Sequence, residues 1–138
     1  MSTNASIGIE LKSGKVKAVY CHFDGYYDGV GKTLLEHYKD RKKVEKLISL
    51  GDLSSLGEEI GSKHDFNKAP DNECNFYGRD RNEDNTEADV YSSKEDYLES
   101  SDFSYTYLFS IENKWLAAED SSFILLTEAL ELDTIEEE

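Results

Sequence analysis

Three residues that lie close together in the chain, Cys21, His22 and Asp24, are of the types that make up a nucleophilic catalytic set. In such a set, an imidazole takes the proton of a thiol and the thiolate attacks an electrophilic carbon. Residues 16–23 are rich in β-formers, however, and neighbouring residues of a strand point to opposite faces. Cys21 and His22 therefore cannot form a local dyad, and Cys21 is predicted to be a small buried packing residue. We predict that the protein is not an enzyme, and an enzyme or small-molecule site on these three residues is the less favoured alternative.

A second candidate for chemistry is Gly31-Lys32-Thr33, which follows a predicted strand and opens a predicted helix. This is the context of a phosphate-binding loop, which requires a further glycine five positions before Gly31. Tyr26 occupies that position, and the nearest glycine is Gly25. Asp28 inside the loop would also repel a phosphate. We therefore predict that this loop binds no nucleotide and that the protein uses no cofactor.

Metal ligands are the third kind of chemistry considered. The two cysteines and three histidines show none of the paired spacings of a zinc site. The acidic run that begins at Asp80 has Asn85 where a calcium-binding loop needs a glycine. No metal site is predicted.

The distribution of charge is the most informative feature of the sequence. The 138 residues contain 30 acids and 15 bases, which gives a net charge of −15. Residues 1–68 hold 10 acids and 11 bases, whereas residues 69–138 hold 20 acids and 4 bases. Such a charge excludes direct nucleic-acid binding by a basic surface and favours an acidic face that meets a partner. The alternative is that the acids only keep the protein in solution.

The densest acidic stretch, residues 80–102, holds nine acids, and the compact motif Tyr77-Gly-Arg-Asp-Arg81 overlaps its start. We predict an exposed acidic loop over 79–90 and then a helix that begins at an S-x-x-E capping box in residues 92–95. The arginines could clamp a carboxylate or phosphate of a partner, or instead pair with neighbouring acids and fix the loop. The predicted partner-binding residues are Asp80, Glu83, Asp84, Glu87, Asp89, Glu95, Asp96, Glu99, Asp102, Tyr77, Arg79 and Arg81.

The elements that must position these residues are predicted from periodicity. Alternating apolar residues predict hairpins over 7–23 and 104–118, and apolar stripes predict two helices over 29–50, the second capped by Asp40. The segment after residue 121 fits either a helix or a strand. We predict one α+β domain over 1–138, with a mainly antiparallel sheet built from the two hairpins and helices packed on one face. Residues 1–6 are predicted to be a flexible N-terminus, and residues 133–138 an acidic tail.

The compartment is predicted from what the sequence lacks. No apolar run approaches the roughly 18 to 20 residues that span a bilayer, and the polar N-terminus is not a secretory signal. Two cysteines do not make a disulfide framework. These features predict a soluble, intracellular protein with no membrane partner.

A set of motifs resembles a known group of proteins when taken together. The motifs are Tyr20-Cys-His-Phe-Asp-Gly-Tyr26, Gly29-Val-Gly-Lys-Thr-Leu-Leu-Glu-His-Tyr38, Leu50-Gly-Asp-Leu-Ser-Ser-Leu56 and Tyr77-Gly-Arg-Asp-Arg81. The set resembles a largely uncharacterised group of small acidic proteins encoded by tailed bacteriophages and prophages. The resemblance implies a protein of the host cytoplasm and assigns no catalytic residues.

A phage setting leads to a specific expectation about function. We expect a binding protein that inhibits or modulates a host or defence protein with a basic nucleic-acid-binding surface, with acidic DNA mimicry as the mechanism considered. The alternative is a small accessory or interaction protein without mimicry. A homodimer is also left open.

Overall fold

The computed structural model describes residues 3–100 and 102–137. Eight strands carry the sheet: β1 (Ala5–Glu10), β2 (Val16–Cys21), β3 (Leu53–Ser55), β4 (Asn75–Phe76), β5 (Asp89–Tyr91), β6 (Tyr105–Phe109), β7 (Trp115–Glu119) and β8 (Ser122–Leu125). Five α-helices are interspersed: α1 (Lys32–His37), α2 (Arg41–Ser49), α3 (Tyr77–Arg81), α4 (Lys94–Ser100) and α5 (Leu126–Glu137). A π-helical turn over Tyr27–Gly31 precedes α1, and a 3-10 turn spans Phe66–Lys68.

The sheet joins the two predicted hairpins in the order β4-β3-β2-β1-β6-β7-β8, with β5 paired to β2. Within each hairpin, β1 with β2 and β6 with β7, the strands are antiparallel. A parallel pairing of β1 with β6, in register from Ala5–Tyr105 to Ile9–Phe109, connects the hairpins. The predictions of an α+β fold and of one shared sheet are confirmed. The parallel pairings of β1 with β6 and of β2 with β3 make the sheet mixed.

The larger core lies on one face of the sheet, where odd-numbered residues of β1, β2 and β6 meet α1, α2 and α5. Apolar stripes of the two predicted helices are buried there, including Leu34, Val44 and Leu47. The carboxylate of Asp40 accepts a hydrogen bond from the backbone N–H of Lys42, so the predicted cap of α2 is confirmed. This core fixes the hairpins from one side.

A smaller core lies on the opposite face and corrects the expectation that helices cover one face only. Val16, Ala18 and Leu108 are buried there around Tyr97, which belongs to α4. Because side chains alternate along a strand, β2 and β6 each contribute to both cores. Helix α4 is thus held against the face that the sequence pattern suggested was open.

The chain ends also differ from the expectation. Residues Ala5 and Ser6, assigned to a flexible N-terminus, are buried in β1, and Met1 and Ser2 lie outside the described residues. At the other end, the apolar run forms the strand β8 and the helix α5 in succession, so both alternatives occur. Most of the predicted acidic tail belongs to α5, and Glu138 lies outside the described residues. Within the described chain, no helix has the length and apolar character that crossing a membrane requires.

Candidate functional site

The acidic segment, which we define as residues 83–102, is the strongest candidate for a functional surface. It carries eight carboxylates and one lysine, Lys94. Seven of the eight acids are exposed, and only Asp96 is half-buried. The segment runs from the end of α3 through β5 and α4. Three anchors hold it against the rest of the molecule.

The first anchor is Thr86. Its carbonyl oxygen accepts a hydrogen bond of 2.8 Å from the backbone N–H of Asp52. Gly51, at a φ of +86°, packs directly beneath this carbonyl, where a Cβ would overlap it. A Cβ at Gly78 would lie 2.8 Å from the Thr86 hydroxyl oxygen. The two glycines thus let the start of the acidic segment approach the body of the protein closely.

The second anchor is strand β5. It pairs antiparallel with β2, with Asp89 opposite Ala18 and Tyr91 opposite Val16. Further along β2, the carboxylate of Asp52 accepts a hydrogen bond of 2.9 Å from the backbone N–H of Tyr20. Backbone hydrogen bonds therefore hold Asp89 at a fixed place on the sheet.

The third anchor is Tyr97 of α4, which is fully buried. Its hydroxyl lies 2.8 Å from Ser6 Oγ and 3.0 Å from the carbonyl oxygen of Tyr107. A Cβ at Gly8 would lie 3.0 Å from the Tyr97 ring, so this glycine makes room for the ring against the sheet. The helix is capped one residue later than predicted, because the hydroxyl oxygen of Ser93 accepts from the N–H of Asp96 at 3.0 Å.

The exposed carboxylates of the acidic segment have few internal partners. Glu83 pairs with Arg81, and Asp96 accepts hydrogen bonds from Ser92 and Ser100. Among the described residues, no ion pair involves Asp84, Glu87, Asp89, Glu95, Glu99 or Asp102. These six carboxylates form the unneutralised part of the segment.

The negative charges of this segment contribute to raised pKa values in neighbouring groups. The pKa of Asp52 is raised, first by its burial and then by the charges of Asp89 and Glu87, against the lowering effect of its hydrogen bond from Tyr20. The pKa of Tyr91 is raised by burial and by the charges of Asp89 and Asp96. The acids are therefore close enough together to act on shared neighbours.

Asp80 does not belong to this surface, which corrects its assignment as a partner-binding residue. Its side chain is fully buried and accepts hydrogen bonds from Arg79 Nε at 2.9 Å, Phe76 N at 2.8 Å and His64 N at 3.1 Å. Burial by itself would raise the pKa of Asp80, but these hydrogen bonds and the Arg79 charge hold it below its ordinary value. Asp80 is a structural residue that closes the loop over residues 60–64 onto α3.

Arg79 is also structural. Its guanidinium donates to the carbonyl oxygens of Cys74, Ile60 and Gly61 at 3.0 to 3.2 Å, and it stacks over the ring of Phe76. This outcome is the alternative in which the arginine fixes the loop. The predicted exposed loop over 79–90 accordingly begins inside α3 and ends inside β5.

Arg81 and Tyr77 remain at the surface. The Arg81 guanidinium lies 4.3 Å from the Phe66 ring centroid and 5.0 Å from that of Tyr77, and these two rings stack at 5.6 Å. Arg81 also pairs with the Glu83 carboxylate. The result is a half-exposed stack of two aromatic rings and an arginine beside the acidic segment.

The structure separates the residues of the nucleophilic alternative. Cys21 is fully buried, and burial raises the pKa of its thiol to about 12, so the thiolate is scarce at neutral pH. His22 instead contacts the hydroxyl of Tyr20, with 2.5 Å between Nδ1 and the oxygen. Asp24 accepts from the hydroxyl of Tyr26 at 3.3 Å. These contacts do not support a shared catalytic site on Cys21, His22 and Asp24.

In the glycine-rich loop over residues 25–31, backbone N–H groups already donate hydrogen bonds within the protein. The N–H groups of Gly25, Gly29, Val30 and Gly31 donate to the carbonyl oxygens of Thr3, Tyr26 and Asp24. A phosphate cradle needs such N–H groups to be free and convergent. This geometry agrees with the prediction from spacing. Among the described residues, no group of three or more His, Cys, Asp or Glu side chains could hold a metal ion.

Sequence reasoning did not link to the acidic segment the residues that position it, namely Gly8, Gly51, Asp52, Gly78, Thr86 and Tyr97. Tyr97 lies on the inner face of α4, but its contacts with strands β1 and β6 had no local signal. Gly51 carried one signal, since a glycine after an apolar stripe often takes a positive φ. Comparison of the chain with protein-family models, curated proteins and solved structures finds no match.

Proposed function

We propose that this chain is a non-enzymatic binding protein whose acidic segment occupies the basic nucleic-acid-binding surface of another protein and so inhibits or modulates it. One observation carries the proposal. Six carboxylates of the segment have no cationic partner among the described residues, and three anchors hold their backbone in place.

The physical argument rests on preorganisation. A basic groove that normally holds nucleic acid gains affinity from neutralising phosphates and releasing counterions. Carboxylates on a fixed backbone can replace phosphates with a smaller loss of conformational entropy than carboxylates on a disordered tail. Glu95 and Glu99 illustrate the point, because they lie four residues apart in α4 and project from the same side, about 6 Å apart along its axis.

The resemblance to small acidic phage proteins adds a setting to this proposal. In that setting, the partner is a host or defence protein that handles nucleic acid in the host cytoplasm. The negative charge of the acidic segment is complementary to a basic surface on such a partner.

The test is capture of a partner followed by displacement of its DNA. The tagged chain is used as bait in a bacterial lysate, and each captured protein is purified and assayed for DNA binding with and without the chain. We expect a captured protein that binds DNA and releases it when the chain is added. Capture alone does not support the proposal, and a partner that keeps its DNA contradicts it.

A neutralised variant and a matched control make this test specific to the acidic segment. The neutralised variant changes four exposed acids of the segment that have no cationic partner among the described residues: Asp84→Asn, Glu87→Gln, Asp89→Asn and Glu95→Gln. The control makes the same change in net charge at four exposed acids elsewhere: Glu36→Gln, Glu112→Gln, Glu128→Gln and Glu131→Gln. Loss of displacement in the neutralised variant only is expected, and equal loss in both variants contradicts a role for the segment.

The second candidate is an interaction protein without mimicry, and the stack of Phe66, Tyr77 and Arg81 favours it. Aromatic and arginine side chains dominate the energetic centres of many interfaces. A partner bound through this stack would be retained by the neutralised variant but lost by Arg81→Ala.

A further inference from the structure

A groove outside the acidic segment carries positive charge, in contrast to the protein as a whole. It lies between the end of α1, the turn that joins β6 to β7, and the junction of β8 with α5, and has a volume of about 360 Å³. This is at the lower end of the roughly 300 to 1,000 Å³ typical of small-molecule sites. The chain has twice as many acids as bases, yet none of the described residues that line this groove is acidic.

The walls of the groove are largely apolar. Phe109 and Trp115 pack at 5.0 Å between ring centroids, and Leu35 and Leu125 add aliphatic surface. The indole N–H of Trp115 donates to the carbonyl oxygen of Tyr38 at 2.9 Å, which fixes the ring. Leu125 is 37% exposed, so apolar surface remains open to solvent here.

Three cations accompany these apolar walls. Lys39 and Lys114 line the groove and are exposed, and neither forms an ion pair with a described residue. The guanidinium of Arg41 lies 5.7 Å from the Phe109 ring centroid and donates to the side chain of Asn113, which also lines the groove. The site therefore combines an apolar surface with positive charge.

We propose that this groove binds a small amphipathic organic anion, with its carboxylate near Lys39 and Lys114 and its apolar body against Leu35, Phe109, Trp115 and Leu125. The charge complementarity selects an anion, and the apolar walls select a molecule with a hydrocarbon or aromatic body. The site is separate from the acidic segment, because none of the residues that line the groove belongs to residues 83–102.

The test uses octanoate as the probe and the fluorescence of Trp115, which is the only tryptophan of the chain. Octanol has a similar apolar body without the charge, and octylammonium has the opposite charge. We expect octanoate to bind the intact protein at least about tenfold more tightly than octanol, equivalent to about 1.4 kcal/mol. Octylammonium should bind more weakly than octanol. Calorimetric titration measures the same affinities without relying on a change in emission.

Variants separate the two parts of the site. Lys39→Gln with Lys114→Gln should bring octanoate binding down to the level of octanol and leave octanol binding unchanged. Leu125→Ser should weaken both ligands. The matched control is Lys42→Gln with Lys46→Gln, which removes two exposed lysines of α2 and should leave both affinities unchanged. Thermal unfolding of each variant verifies that it is folded.

Three results would overturn the proposal. The first is equal affinity for octanoate and octanol, and the second is equal loss of octanoate binding in both lysine pairs. The third is a dimer in sedimentation that Leu125→Ser dissociates, because the groove would then be covered by a second copy of the chain.

Discussion

The removal of the Asp80 carboxylate is the perturbation whose cost follows most directly from the structure. In Asp80→Ala, the guanidinium of Arg79 loses its only ion-pair partner among the described residues, in a place where the two side chains are 12% and 0% exposed. The N–H groups of Phe76 and His64 lose their acceptor as well. Breaking a buried ion pair from one side costs about 3–5 kcal/mol.

The neighbouring pair of Arg81 and Glu83 provides the matched control. It also joins an arginine of α3 to an acid, but its side chains are 49% and 39% exposed. Exposed pairs contribute about 0–1 kcal/mol. Glu83→Ala should therefore change the free energy of unfolding by less than about 1 kcal/mol.

Urea unfolding measures both variants. With a slope of about 2 kcal/mol per M, a loss of about 4 kcal/mol lowers the unfolding midpoint of Asp80→Ala by about 2 M, against less than about 0.5 M for Glu83→Ala. Equal midpoints for the two variants would refute the assignment of Asp80 to the structural core of the loop.

The pH dependence of stability tests the same residue. Because the pKa of Asp80 is lowered in the folded state, protons bind the unfolded chain more readily. The stability that this carboxylate supplies is complete above its unfolded pKa of about 4 and is lost as the pH falls through its folded pKa. Asp80→Asn should flatten the fall of stability at acidic pH, and an unchanged fall would show that other carboxylates cause it.

Three further predictions concern the anchors and the glycine-rich loop. Gly51→Ala should cost more than about 1 kcal/mol in urea unfolding, because alanine is strained at a φ of +86° and its Cβ would overlap the Thr86 carbonyl; a neutral effect would argue against this anchor. Tyr97→Phe should cost about 1–3 kcal/mol, because Ser6 and the carbonyl of Tyr107 lose a buried partner; a cost below about 0.5 kcal/mol would contradict it. ATP and GTP should leave the melting temperature unchanged, and a rise that Lys32→Ala abolishes would overturn the exclusion of a nucleotide site.

The parts of the fold that the sequence predicted are those with strong local signals. The two hairpins follow from short alternating runs, and the start of α2 follows from Asp40 and the stripe behind it. The pairing of β1 with β6 joins residues about 100 positions apart, so only the expectation of a shared sheet was available. Strand β5 has only three residues, Asp89, Val90 and Tyr91, and its pairing with β2 could not be predicted from so short a segment.

The sequence predicted only part of the candidate site, because contacts with distant parts of the chain decide which of its acids are buried. Asp80 and Glu83 have similar neighbours in the sequence, yet one is buried and the other exposed. The difference arises from the loop over residues 60–64, which is distant in the sequence. Its backbone groups form hydrogen bonds with the side chains of Arg79 and Asp80. Charge density alone could identify the acidic segment but could not tell which of its acids form a surface.

The proposal that the acidic segment binds its partner through exposed charge is tested by the salt dependence of that binding. The dissociation constant of the chain for its captured partner is measured at about 0.1 M and about 1 M salt, where the screening length falls from about 10 Å to about 3 Å. We expect the intact chain to lose at least about tenfold in affinity over this range of salt concentration. The variant Asp84→Asn, Glu87→Gln, Asp89→Asn, Glu95→Gln should bind weakly with a flatter salt dependence. Equal affinity at both salt concentrations, or the same salt dependence for both proteins, would contradict the claim.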